Sequence, residues 1–173
     1  MTSPIGADAV LPEPRDRMAG LRLARMRLAA RGRLEVRGRV RIERGARVAV
    51  ARGGRVVLED GSLLGAGSRI EATGGVVRLG AGARLGARAV IVARERVEVE
   101  AGSAIGEWAL VCDTAPTFDD PERPTRLQPL HVAAVQIGEN ARIGAHATVL
   151  AGETIPAGAV VGSYVTRSSS ASP

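Results

Sequence analysis

Between Ile137 and Thr166 the chain repeats a six-residue unit five times without interruption: IGENAR, IGAHAT, VLAGET, IPAGAV, VGSYVT. A period of six fits neither the 3.6-residue turn of an α-helix nor the two-residue alternation of a strand, so the segment is an array of identical short units. Each unit opens on a large aliphatic residue and fills the rest with small, polar or turn-forming residues. Such units bury their aliphatics by stacking as parallel ladders round a narrow core, one coil using three hexads.

The register runs backwards through most of the chain. Val36, Ile42 and Val48 are spaced by six, as are Leu58, Leu64 and Ile70, then Leu79, Leu85 and Ile91, then Val99, Ile105 and Val111. With Ile137, Ile143, Val149, Ile155 and Val161, all 17 register positions are Val, Ile or Leu, which predicts about five coils with these side chains inward. The residue four places on is usually small, as in Ser62, Ser68, Ala83, Ala89, Ala141 and Ala147. Gly65, Gly86, Gly106, Gly144 and Gly162 follow the aliphatic of the second hexads, where a tight corner is expected.

Departures from the period all follow the third hexad of a coil. Val48 to Leu58, Ile70 to Leu79, Ile91 to Val99 and Val111 to Ile137 exceed six by 4, 3, 2 and 20 residues. Every insertion therefore leaves from one corner of a three-sided prism. Insertions gathered on one side of a repeat array are where function is commonly carried. The longest, residues 113–134, holds four prolines, the single phenylalanine and His131.

One Phe, one Tyr and one Trp in 173 residues cannot build an ordinary globular core, whereas a β-solenoid of Val, Ile, Leu and Ala needs no aromatics. The sole cysteine, Cys112, excludes an internal disulfide and fits a reducing compartment. With no apolar run near 18 residues and no leader-like segment, no membrane span and a cytoplasmic location are expected. All 24 basic residues are arginine, and 14 of them fall between Arg15 and Arg55 against three acids. Such a patch suits nucleic acid or an anionic membrane. It lacks aromatics for base stacking, though, and its alternation with Leu34, Val36, Val40 and Ile42 reads as the wetted side of strands, so no nucleic-acid partner is expected.

In order, residues 1–17 read as a flexible arm and residues 18–33 as a helical cap over the open end of the solenoid. Residues 34–166 form the β-helix with its loop at 113–134, and residues 167–173 a flexible tail.

From Ile105 to Val161, the FDDPERP of the loop and the following IGxxxxIGxxxxVLxGxTIxxGAVVG resemble the hexapeptide-repeat acyltransferases related to maltose and galactoside acetyltransferase. The resemblance implies a left-handed parallel β-helix, a homotrimer, and acetyl-CoA or another acyl-CoA as co-substrate in the groove between prisms, with a sugar-like small-molecule acceptor. It implies Gly144, Ala145, Gly162 and Ser163 along the pantetheine arm and Arg167 near the CoA phosphates. Acceptor contacts fall to Trp108, Thr114, Phe118 and Asp119.

The family usually reads Asp-His-x-His-x-Phe-x-Asp-Pro where this chain has Asp113-Thr114-Ala115-Pro116-Thr117-Phe118-Asp119-Asp120-Pro121, so Thr114 and Pro116 stand in the histidine positions. A tryptophan frequent in the family is Arg142. Acyl transfer then needs a relocated base. His146, three places after inward Ile143 and so facing outward, and His131 in the loop are the candidates, with Asp113 or Asp119 to orient the imidazole. The alternative is a binding or scaffold trimer that has lost the chemistry. Zinc chemistry of the kind found in carbonic anhydrases on this solenoid needs three histidines where the chain has two, so no metal is expected. Trp108 faces outward, over an acceptor pocket or against a neighbouring prism. Cys112, with no activating neighbour, reads as a packed residue.

Overall fold

The computed structural model describes residues 18–117, 122, 124 and 127–169. The arm expected over residues 1–17, together with Phe118, Asp119 and residues 170–173, lies outside the described residues. The chain begins with helix α1 (Ala19–Ala29) and then winds through six coils. The first coil holds β1 (Leu34–Val36), β2 (Arg41–Ile42) and β3 (Arg47–Val50), and the second β4 (Arg55–Leu58), β5 (Leu63–Leu64) and β6 (Arg69–Ala72). The third is β7 (Val76–Leu79), β8 (Arg84–Leu85) and β9 (Val90–Ala93), and the fourth β10 (Arg96–Val99), β11 (Ala104–Ile105) and β12 (Leu110–Cys112). The hairpin β13 (Thr114–Pro116) and β14 (Leu130–Val132) interrupts the winding. The fifth coil is β15 (Val135–Ile137), β16 (Arg142–Ile143) and β17 (Thr148–Val149), and the sixth β18 (Thr154–Ile155), β19 (Val160–Val161) and β20 (Thr166–Arg167).

Strands in equivalent positions pair in parallel, giving three six-stranded sheets that form the three sides of a prism. This is the all-β parallel solenoid expected from the period, consistent with a left-handed β-helix. The register aliphatics line its axis: Leu58, Leu64, Ile70, Leu79, Leu85, Ile91 and Ile137 are fully buried, and only Val36, at the first coil, is half-buried. Full burial of each contributes up to about 1.5–3 kcal/mol. Ladder pairing keeps like over like, as in Leu64↔Leu85 and Ile105↔Ile143. Val56, Val77, Val97 and Val135 add a second inward row on the first side, two residues before the register aliphatic.

The number of coils is six rather than five. Counting aliphatics stops at Val161 because Arg167 occupies the eighteenth register position, paired with Val149 in the ladder. That strand is the last of its sheet, so an arginine there reaches water and the sequence no longer has to supply an apolar residue. The ordered chain consequently runs past residue 166, and the Ser169 hydroxyl donates to the Ala151 carbonyl at 2.8 Å.

Helix α1 packs against the three strands of the first coil and buries Met26 and Ala30, which closes the apolar end of the prism. On the first side the arginines interleave with glutamates of neighbouring strands. Arg78 contacts Glu59 at 2.9 Å and Glu100 at 3.3 Å, and Glu35 bonds both Arg55 and Arg37. Those guanidiniums, Arg55 first, hold the Glu35 carboxyl below its ordinary range. Part of the basic amino-terminal half is thus neutralised across the ladder.

The third-to-first corner carries every insertion, as the spacing implied. Asp113, at the root of the longest, is fully buried, and its carboxylate accepts hydrogen bonds from the Arg94, Glu95 and Arg96 amides at 2.6–2.9 Å. It thereby caps the corner of the coil before it.

Because the axis is dry and continuous, Leu85→Asp or Ile143→Asp places a carboxylate where no partner exists. A fold with net stability of about 5–15 kcal/mol does not absorb that. Either variant is expected to lose its β circular-dichroism signal and cooperative melt; retention of a wild-type melt would contradict the register.

Candidate functional site

The sequence-derived candidates fall into two groups at different corners. Asp113, Thr114 and His131 belong to the hairpin root on the third-to-first corner, where Ala115 pairs with His131 across the antiparallel ribbon. Trp108, Gly144, Ala145, His146, Gly162 and Ser163 share the second-to-third corner, in the fourth, fifth and sixth coils. The groups lie at opposite edges of the third side of one prism.

At the hairpin root, the Asp113 carboxylate is taken up by three backbone amides, so it is not placed to orient an imidazole. The His131 imidazole is exposed, with no hydrogen-bond or ionic partner among the described residues. The Cys112 thiol is buried and donates to the Thr114 carbonyl at 3.3 Å. Burial pushes its pKa up, which keeps it a thiol and suits a packed residue. Phe118 and Asp119 lie outside the described residues. No group of three or more His, Cys, Asp or Glu capable of holding a metal ion occurs among the described residues.

The second-to-third corner has a different construction. In every coil the residue three places after the inward aliphatic takes a left-handed backbone: Gly45, Gly67, Arg88, Trp108, His146 and Tyr164. For the last four, φ is 56°, 58°, 58° and 62°. Each amide bonds a carbonyl of the coil before it, Trp108 to Ala87 at 3.0 Å and His146 to Glu107 at 2.9 Å, so the four sit at one height per coil. Their side chains form a single column. The Arg88 guanidinium carbon is 4.9 Å from the Trp108 ring centroid. Trp108 and His146 stack at 6.1 Å with planes 8° apart, and His146 and Tyr164 at 4.8 Å with planes 3° apart. Trp108 is 51% exposed and Tyr164 76%. Tyr164 and, at a wider offset, Trp108 flank the two faces of the imidazole, and its nitrogen-bearing edge is open to another molecule.

Of the column's four members, the sequence singled out Trp108 and His146 but neither Arg88 nor the terminal aromatic, Tyr164. Both occupy the same hexad position as Trp108 and His146, and that shared register was the signal available. The column also uses residues that the backbone disfavours, since a left-handed conformation costs a non-glycine residue roughly 1–2 kcal/mol.

The glycines at this corner have a reason other than a positive φ. A Cβ on Gly86 would lie 2.7 Å from the Gly106 carbonyl carbon, and one on Gly106 would lie 2.6 Å from the Ala145 nitrogen. Gly144 meets the Ser163 backbone more closely still. The next coil passes directly over each of them, and no side chain fits between. Gly162, in the last coil, meets nothing nearer than a Val165 methyl carbon at 3.4 Å. Arg167, assigned to CoA phosphates by the resemblance, points its Nε to within 3.7 Å of Glu153 Oε2 with its side chain half exposed.

An open depression of about 580 Å³ at the amino-terminal end is lined by Arg33, Leu34, Glu35 and Arg55. It adjoins none of the candidate residues, and its only carboxylate is the one already held by Arg55 and Arg37.

No family model matches the chain, and no curated protein matches it. Among solved structures, the chain is similar to AntD, an N-acyltransferase from Bacillus cereus determined in complex with dTDP and 3-hydroxybutyryl-CoA. The two are 17% identical over 77% of this chain and 72% of that one, with a TM-score of 0.43. A likeness that distant carries no argument about what this chain binds.

Stacking of coils, not ligand binding, dictates glycine at 86 and 106. Gly86→Ala and Gly106→Ala are each expected to lower stability by about 1–3 kcal/mol, as overpacking does. Gly162→Ala should stay within about 0.5 kcal/mol of wild type. Denaturant titration checks the contrast, and equal losses at all three positions would contradict it.

Proposed function

We propose that the protein is an acyl-CoA-dependent acyltransferase, moving an acetyl or other acyl group onto a hydroxyl or amine of a sugar or similar small metabolite. The observation that supports this reading best is the grouping at one corner of the small residues Gly144, Ala145, Gly162 and Ser163 with the exposed imidazole of His146. The small residues Gly144, Ala145, Gly162 and Ser163 beside the aromatic column suit an extended pantetheine arm, and Gly162 is small with no packing reason to be so. A homotrimer belongs to the same proposal, because a neighbouring prism would wall the corner and form a cleft. His131 of an adjacent copy is then the second candidate base.

In the proposed step, an imidazole nitrogen takes the proton from the acceptor hydroxyl, or from a neutral acceptor amine as its nitrogen bonds to the carbonyl carbon. The oxygen or nitrogen attacks the thioester carbonyl carbon. The carbon–sulfur bond breaks, CoA leaves as thiolate, and the imidazolium returns the proton to sulfur. Stacking of His146 between Trp108 and Tyr164 fixes the ring plane and keeps its edge outward, as such a transfer requires. An amine delivered unprotonated needs less help than a hydroxyl, which favours an amino sugar. The second reading, a binding trimer without turnover, draws on Asp113: the carboxylate nearest the loop is committed to backbone amides, so neither histidine has a carboxylate partner among the described residues.

Acetyl-CoA is expected to raise the melting temperature, and an amino-sugar panel to reveal turnover. His146→Ala or His131→Ala should then lose about 10²-fold or more in kcat with acetyl-CoA binding intact, which identifies the base. Turnover unaffected by either substitution would contradict a relocated histidine, and binding without turnover across the panel would favour the scaffold reading.

A further inference from the structure

The first-to-second corner supplies an internal control for the aromatic column. The same left-handed position recurs there, three residues after the inward aliphatic, in the second to sixth coils. It is filled by Gly61, Gly82, Gly102, Asn140 and Gly158, the residues that adopt this backbone at least cost. The fold therefore asks nothing of the position but a tolerant residue. At the second-to-third corner the first two coils obey the same rule with Gly45 and Gly67. From the third coil onward they are replaced by Arg88, Trp108, His146 and Tyr164. The only tryptophan, the only tyrosine and one of two histidines in 173 residues are placed on one line, in a strained conformation, largely in solvent. Strain retained where an easier residue would fold equally well marks side chains kept for what they contact.

The column has one free end. Arg88 closes the amino-terminal face of the indole, and Trp108 and Tyr164 flank the imidazole. Among the described residues no coil follows that of Tyr164, and the phenol, 76% exposed, offers its outer face with its plane parallel to the rings of the stack. We propose that this face is a stacking platform for the base of a phosphorylated nucleotide, which adds one more flat ring to the column. A nucleobase has the planarity, size and π character of the rings already stacked, and stacking on an exposed aromatic is tolerant of which base it is. Arg167, three residues on in the same coil and half exposed, is the cation this coil offers to a phosphate. The proposal rests on the acyl-transfer reading for the source of the nucleotide, either CoA itself or a nucleotide-linked acceptor. It does not rest on that reading for the stacking.

The test is calorimetric titration of the full chain with ADP, UDP and ribose 5-phosphate, following the emission of Trp108 in parallel. Wild type should bind ADP, UDP or both, and bind ribose 5-phosphate at least about 10-fold more weakly. Preference for ADP points to CoA as the source, and preference for UDP to a nucleotide-linked acceptor. Tyr164→Gly should weaken nucleotide binding by about 5- to 150-fold while Tyr164→Phe retains it. Because glycine relieves the left-handed strain, the melting temperature of Tyr164→Gly should not fall below that of wild type. Binding of ribose 5-phosphate as tight as that of the nucleotides, undiminished nucleotide binding by Tyr164→Gly, or no nucleotide binding by wild type would each overturn the proposal. Tyr164-dependent nucleotide binding without any acyl transfer would sustain the platform and overturn only the acyltransferase reading. Acyl transfer with nucleotide binding indifferent to Tyr164 would do the reverse.

Discussion

Everything in this molecule depends on successive coils stacking directly on one another. Strand amides, and those just after a strand, find their carbonyls one coil away, as in Gly86 to Ile105 at 2.8 Å and Gly106 to Ile143 at 2.8 Å. That spacing, about 4.8 Å, is too small for a side chain to stand between coils where they pass face to face. Three rules of the hexad follow. The first residue points to the axis and is aliphatic. The second must be glycine wherever the next coil crosses it closely. The fifth turns inward at the corner and must be small, as Ser62, Ser68, Ala83 and Ala89 are, all buried. The fourth residue escapes these limits, because its backbone is left-handed and its side chain leaves the prism.

That last freedom separates structure from function at the corners. At the first-to-second corner, from the second coil on, the fourth residue is glycine or asparagine. Where it is arginine, tryptophan, histidine and tyrosine in successive coils, a periodic fold has turned a single hexad position into a row of side chains held in register by the backbone. The alignment follows from the ladder and needs no further device. The imidazole of His146 gains a fixed plane from its neighbours, and Tyr164 gains an open face from ending the row.

Much of the fold was legible because a strict period leaves few solutions. The aliphatic register, the corner of the insertions and the helix over the first coil all follow from spacing and composition. The sixth coil was not legible, since its last register position is exposed enough to accept Arg167. The glycines of the second hexads were visible, but the close passage of the next coil that requires them is a property of two coils together. The ribbon formed by Thr114–Pro116 with Leu130–Val132 left no alternation to read in so short a span. Asp113 looked like a catalytic carboxylate in a loop, and only the three amides converging on it reveal a corner cap. The column lay between these extremes: Trp108 and His146 stood out singly, and the shared hexad position that joins them to Tyr164 becomes meaningful once the coils are stacked.

The central claim is that the second-to-third corner needs glycine for folding and carries its large residues for binding. The direct measurement is on the chain with R88G, W108G, H146G and Y164G combined, following the thermal melt by circular dichroism with and without acetyl-CoA. The account predicts a cooperative melt at or above the wild-type temperature, from relief of four left-handed non-glycine residues, and no shift on adding acetyl-CoA where wild type shifts upward. A variant that unfolds, or one that responds to acetyl-CoA as wild type does, would contradict it.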